Sequence, residues 1–316
     1  MLWTDLDSLL GDMIGQPLRT DGRFTPTSAR LTMHEIQAEI SEVAKCVETS
    51  NVGVTVSGTA TYDLPSTCIE VFAVGLSGYE APIQIHDIPL PASALSGTPT
   101  MWYIIGNKIG FYPVPNAAIT YTLYFYKRPP EYAMRVTHAL ANASSTACVM
   151  STTATGMTLV ITGGTDAGTT TINFAHASTD TVAEVVAKIN GLAKGFTATA
   201  HPDAGSLVFT TEGVDVRTSI NIEGVNDYVF FNPQIPTRAR DLLLNGSTER
   251  MKLKDREINF EQYQASMYYK KLAEFKADWK SRKSKTRNMG IQRTRRRGGG
   301  GGEYIGDSGI PRVFIT

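Results

Sequence analysis

The chain has 316 residues, 42% apolar and 19% charged, proportions of a globular protein of two or three domains rather than a membrane or disordered one. No apolar run approaches the roughly eighteen residues of a membrane span. The opening residues Met1–Asp7 lack the basic, apolar and cleavage features of a secretory signal, so neither membrane nor export is expected. Formal charge is zero overall, but 276–297 holds ten Lys or Arg against the single acid Asp278. That stretch is +9, which leaves −9 for the rest of the chain. A basic tail on an acidic body implies that the tail has its own partner.

From the start of the chain, Leu2, Leu6, Leu9, Leu10, Met13 and Ile14 recur at helical spacing until Gly15 and Pro17. Thr27 or Ser28 caps a second predicted helix. Its apolar face is Leu31, Ile36, Ile40, Val43 and Val47, up to about Glu48. From Val52 the period becomes two. Strands are predicted over 54–56, 59–65, 69–74, 102–105, 108–112 and 119–126. Composition shifts at Thr137 to a Thr-, Ala- and Gly-rich block that nearly lacks Lys and Arg. Strands are predicted there at 157–161, 170–174, 196–200 and 206–210 around one helix, 181–190. After Pro236 a short helix through Leu242–Leu244 is expected to end at Gly246. A longer one is expected from about Phe260 through Trp279 toward Arg282.

Helices at both ends with β-rich matter between give an α+β fold. The expected architecture is a helical bundle body from residues 1–50 and 236–285. An inserted small β domain (51–130), a second inserted α+β domain (137–224) and an extended C-terminal arm (286–316) complete it.

Motifs for catalysis are missing. His34, His86, His138, His176 and His201 stand at no ligand spacing from one another or from Cys46, Cys68 and Cys148. The cysteines read as reduced structural thiols. His34 reads as a helix-surface or capping residue, and Glu35, Glu39 and Glu42 as a solvated face. Gly298–Gly302 lacks the Lys-Ser/Thr end of a phosphate loop, and no serine sits in a nucleophile elbow. The chain reads as a non-enzyme without cofactor or metal.

Three readings fit the basic stretch. Cations at a helix end complement its dipole, which suits Lys280–Lys285 but not Arg293–Arg297. Arginines can track nucleic-acid phosphates, although no aromatic is interleaved among them for base stacking. Docking on an acidic protein surface suits it best, with Gly298–Gly302 supplying reach and Val313–Ile315 a strand for a partner's sheet edge. At roughly 3.5 Å per residue the arm from Ser284 spans on the order of 100 Å. Glycine runs are costly to order, so a partner is expected to hold it.

The order Tyr62-Asp-Leu-Pro65, Gly97-Thr-Pro-Thr-Met-Trp-Tyr103, Gly106-Asn-Lys-Ile-Gly-Phe-Tyr-Pro113 and Tyr126-Lys-Arg-Pro129 resembles the β region of phage head-to-tail adaptor (connector) proteins. The helices 236–282 resemble that family's closing pair, so the resemblance covers 1–130 and 236–316. It implies a homo-oligomeric ring, commonly a dodecamer, below the portal protein in the virion, with tail tube, nozzle or fibre proteins beneath. DNA would pass through the lumen without specific binding. By position and character, the arm residues given a portal- or neighbour-binding role are Arg293, Arg295, Arg296, Arg297, Tyr304, Ile305, Ile310, Pro311, Arg312, Val313, Phe314 and Ile315. The block 137–224 departs from that pattern. It resembles the small domain inserted in flagellins and hook-associated proteins, which keeps a tail, baseplate or fibre-attachment role open. Nucleic-acid binding through 276–297 is the further alternative.

Overall fold

The computed structural model describes residues 3–15, 18, 25–85, 95–139, 147–164, 166–176, 180–192, 194–222, 227–254, 262 and 267–289. Helices α1 (Trp3–Ile14), α2 (Pro26–Ala44), α5 (Arg240–Lys254) and α6 (Met267–Met289) share one core. Leu6, Leu10, Met33, Ile36, Ile40, Leu243 and Tyr268 meet there. Thr25 starts α2 with a reciprocal capping box to Ser28, and Pro26 supplies a preset φ at the first turn. The helix stops at Ala44, short of the expected Glu48. Lys45 turns left-handed and gives its N–H to the Ser41 carbonyl, and Glu48 already pairs in a strand.

The second core lies between two small sheets. One has the order β1 (Glu48–Val54), β9 (Thr120–Lys127), β3 (Cys68–Leu76). The other runs β2 (Thr61–Asp63), β7 (Lys108–Tyr112), β6 (Met101–Ile105), β4 (Ile83–Gln84), and β5 (Ser96–Gly97) and β8 (Val114–Pro115) form a short parallel pair. Val71, Val74, Trp102, Ile109, Phe111, Leu123 and Phe125 fill the space between them.

The third core runs from Ala133 to Phe231. Its sheets are β14 (Phe196–Ala200), β10 (Met134–His138), β16 (Asp227–Val229) and β13 (Gly168–Asn173), β12 (Gly156–Thr162), β11 (Ala147–Thr153), β15 (Arg217–Asn221). Helix α3 (Val182–Asn190) is closed by a Thr181–Glu184 capping box and lays Val182, Val185 and Ile189 into that core. The chain enters on β10 and leaves on β16, and these two strands pair directly, Met134 opposite Val229.

Two expected elements take another form. The predicted strand 206–210 is instead a bridge at Val208 followed by a short helix, α4 (Phe209–Glu212). Phe209 is fully buried and stacks on Phe174 at 4.3 Å, and the turn brings Glu212 to Lys127. Nor does Gly246 end its helix, because α5 continues to Lys254. A Cβ on Gly246 would lie 2.6 Å from the Tyr268 ring and 2.8 Å from Ile36, so the glycine is there to let α5 approach α2 and α6. Helix α6 also extends past Arg282, so Lys283, Lys285 and Arg287 ride on a helix rather than a tail. The expected start near Phe260 falls outside the described residues.

This close approach predicts that Gly246→Val is destabilised by about 1–3 kcal/mol through overpacking, despite valine's better helix propensity. Urea unfolding of the two proteins measures it, and an unchanged midpoint would show that the helices do not meet so closely.

Candidate functional site

Helix α2 carries three stripes. Ala29, Met33, Ile36 and Ile40 face the helical core. Glu35, Glu39 and Glu42 form the outer row. The third stripe, Arg30, His34, Gln37 and Ser41, is polar and buried. Its spacing of four, three and four places it on one helix face. Against that face lie the 133–231 segment and the chain leading back to α5.

Arg30 donates from Nε and Nη2 to Asp7 Oδ2 at 3.0 and 2.7 Å, and from Nη1 to Asp215. Arg217 donates to Asp227 at 3.0 Å, to the Tyr228 carbonyl at 2.9 Å and to Thr27 at 3.1 Å. His34 is fully buried and stacks on Phe230, with centroids 5.2 Å apart and planes 17° from parallel. The Arg217 guanidinium sits 5.6 Å from the centre of that same Phe230 ring. His34 is therefore no surface or capping residue. One turn along, the Gln234 N–H donates to Gln37 at 2.8 Å, and Gln234 Nε2 donates to Glu212 at 2.7 Å. Glu212 in turn accepts from Lys127 of β9 at 2.6 Å, with Lys127 buried and Glu212 partly so. One polar seam thus ties all three cores to α2.

Burial dominates its electrostatics. It drives His34 down to about 3, with the nearby Arg30 charge acting in the same direction. It pushes Asp215 up to about 6, against the pull of Arg30 and Arg217. Asp7 is also raised by burial, and the Arg30 hydrogen bond opposes the rise. The Cys68 thiol is lifted by burial to about 11, so it is protonated at neutral pH and no activated nucleophile. Among the described residues none of Cys46, Cys68 and Cys148 is in a disulfide. Among the described residues no group of three or more His, Cys, Asp or Glu could hold a metal, and no helix is long and apolar enough to cross a membrane.

The open surface is on β1. The bonds Lys127 N–H to Val47 and Thr55 N–H to Ile119 fix the ladder phase, so odd residues of β1 bond β9. Ser50, Val52 and Val54 then point their N–H and C=O groups away from it. Among the described residues no strand pairs with that edge. Val52 and Val54 are 62% and 54% exposed, and the strand has no bulge, Lys or Pro to guard it. On the same outer face lie Tyr124 and the Phe72–Tyr126 stack, at 4.7 Å. Next to it a groove of about 1050 Å³ opens between β3 and α6, with Glu42, Glu70, Lys276, Trp279 and Lys280 on its walls.

The sequence-predicted partner residues, Arg293 through Ile315, all lie outside the described residues. The Glu35, Glu39 and Glu42 row is not simply solvated. It meets Lys254 at 2.9 Å, Arg250 at 3.7–3.8 Å and Arg128 at 3.2 Å. Sequence reasoning missed the seam altogether. The available signal was a row of polar residues beside the apolar row, distinct from the acidic row that faces away.

Residues 5–150, a little under half of the chain, match the model of a family described as the SU10 adaptor protein. That match supports a phage structural adaptor, and hence a virion component that contacts other virion proteins, in a family that is generally non-enzymatic. Residues 158–213 match the flagellin hook IN motif, which supports the likeness of that segment more weakly. No curated protein matches the chain.

Arg30→Ala would strand Asp7 and Asp215 as buried charges, at a cost of about 3–5 kcal/mol. Arg30→Ala with Asp215→Asn should recover part of the loss. Denaturant midpoints of the three proteins decide it; additive losses would mean that the two residues are not coupled.

Proposed function

We propose that the chain is a head-to-tail adaptor, a structural protein that forms a ring, of twelve copies, below the portal and joins capsid to tail. The observation that carries this reading is the match of residues 5–150 to the SU10 adaptor protein. The matched stretch contains most of α1, all of α2 and the whole sheet with the open β1 edge. A long unguarded edge with exposed valines is an aggregation hazard in a free protein, so a surface of this kind is expected to be covered in an assembly. Neighbouring copies are the covering partner in this reading.

The C-terminal arm would reach from the end of α6, after Met289, onto the portal. Arg293 and Arg295–Arg297 would meet an acidic surface, and Ile310–Ile315 would add a strand there. The body, net −9 outside 276–297, suits a lumen wall that DNA passes without sticking. The flagellin hook IN match over 158–213 favours a second reading for that segment alone: a contact with tail or fibre proteins outside the ring.

Two outcomes test the proposal. Mixed with its portal, the full-length chain should give a ring by native mass spectrometry, and a chain truncated after Gly290 should not. Binding to tail proteins or DNA in place of the portal would sink the adaptor reading. Separately, Val52→Lys with Val54→Lys should leave the monomer folded by circular dichroism but prevent ring formation. An undiminished ring would remove β1 from the seam between copies.

A further inference from the structure

Five charged side chains meet where α1, α2 and the 133–231 segment close on one another. Arg30 and Arg217 face Asp7, Asp215 and Asp227. With every group ionised, two cations stand against three carboxylates, and the excess negative charge has little water around it. Side-chain exposures are 5% for Arg30, 3% for Asp215, 9% for Arg217, 8% for Asp227 and 18% for Asp7. Asp7 Oδ1 is buried with no hydrogen-bond partner. The titratable group next to this cluster is His34, fully buried, stacked on Phe230, close to Arg30 and hydrogen-bonded to the Pro130 backbone; the Lys127–Glu212 pair lies farther along the seam. A proton on its ring would leave a cation with no water around it, pressed against the Phe230 ring and close to Arg30. A proton on a carboxyl beside Arg30 would instead cancel the excess charge.

We infer that the seam is a proton-exchange latch: as the 133–231 segment closes onto α2, His34 releases one proton to water and the Asp7–Asp215 pair takes one up from water. No net proton is gained or lost in mild acid, so the attachment keeps its strength there.

The directions follow from the two shifts. Asp215 is raised from 3.8 to about 6, so its contribution to stability is complete below its unfolded value and fades as pH rises through 6. His34 is lowered from 6.5 to about 3, so its contribution is complete above 6.5 and fades as pH falls toward 3. Across the overlap, from about pH 4 to 6, the two slopes oppose each other. A seam with only one of these groups would tighten or loosen over that interval. Because Asp7 and Asp215 share Arg30, the proton belongs to the pair rather than to one oxygen.

The test uses full-length protein and urea unfolding at pH 7.5 and 4.5 for the parent, His34→Phe and Asp215→Asn. On acidification the unfolding constant of Asp215→Asn should rise relative to the parent, because His34 is no longer offset. That of His34→Phe should fall relative to the parent. Each change should be on the order of ten- to a hundredfold, since each pKa unit is worth a factor of ten. Variants that track the parent at both pH values would overturn the latch. A reading without substitution guards against a variant that fails to fold. In the folded parent at pH 4.5, the ¹⁵N shifts of His34 should be those of a neutral ring, and the infrared spectrum should hold a buried protonated carboxyl band. A charged His34 ring at that pH would overturn the proposal as well.

Discussion

The arrangement of this protein depends on the buried polar row of α2. Each of the three cores is apolar and closes on itself: the four helices, the paired sheets of the β region, and the 133–231 segment. Apolar burial is non-directional, so three such cores could be set against one another in many ways. The row from Arg30 to Gln37 removes that freedom. Arg30 must find Asp7 and Asp215, Gln37 must receive the Gln234 N–H, and Lys127 must meet Glu212. Misplacing any of these leaves a buried polar group unsatisfied, at a cost of about 1–3 kcal/mol, or more for a charge. Taking the charges out of water offsets most of what their attraction contributes. The seam therefore selects one arrangement more than it raises stability.

The helices, most strands and the α+β class were legible because they follow local rules. The Thr181–Glu184 box and its apolar 182/185/189 spacing mark α3 in sequence as they do in space. What was not legible depends on contacts far along the chain. Gly246 looked like a helix stop, and only the Tyr268 ring and Ile36 explain why a glycine interrupts nothing there. Ser206–Thr210 alternates like a strand, yet burial of Phe209 against Phe174 and the pull of Lys127 on Glu212 turn it into a helix. His34 was misread because its cover, Phe230, lies nearly two hundred residues away. Arginine and histidine on a helix are usually solvated, and nothing local in the sequence says otherwise.

The two edges of the β1–β9–β3 sheet are treated differently. β3 is bulged twice against β9, between Cys68 and Glu70 and between Val71 and Ala73, which twists that edge and discourages further pairing. β1 runs in unbroken register with valines on its outer face. Tyr121 lies over Gly53 so closely that a Cβ there would sit 2.3 Å from its ring. The edge is thus packed from beneath by an aromatic ring. A surface held in this state is organised to receive a partner, in keeping with the match to an adaptor family.

The 133–231 segment enters and leaves on adjacent antiparallel strands, β10 and β16. A unit joined this way adds to a body without disturbing it, because entry and exit are already neighbours. Two strands alone would let it swing. Instead Arg30, Thr27 and Gln37 of α2 reach three elements of that segment and its exit chain, at separations of 185 to 200 residues. Those contacts come from a helix inside the stretch matched to the adaptor family, whereas their partners lie beyond it. An appendage whose orientation did not matter would need no buried ion pairs to hold it. The host helix has given up part of its surface to a polar face that only this segment satisfies, so the two have been shaped together. The direction in which the segment projects from the body is then a fixed property of the protein, as a contact with another part of a particle would require.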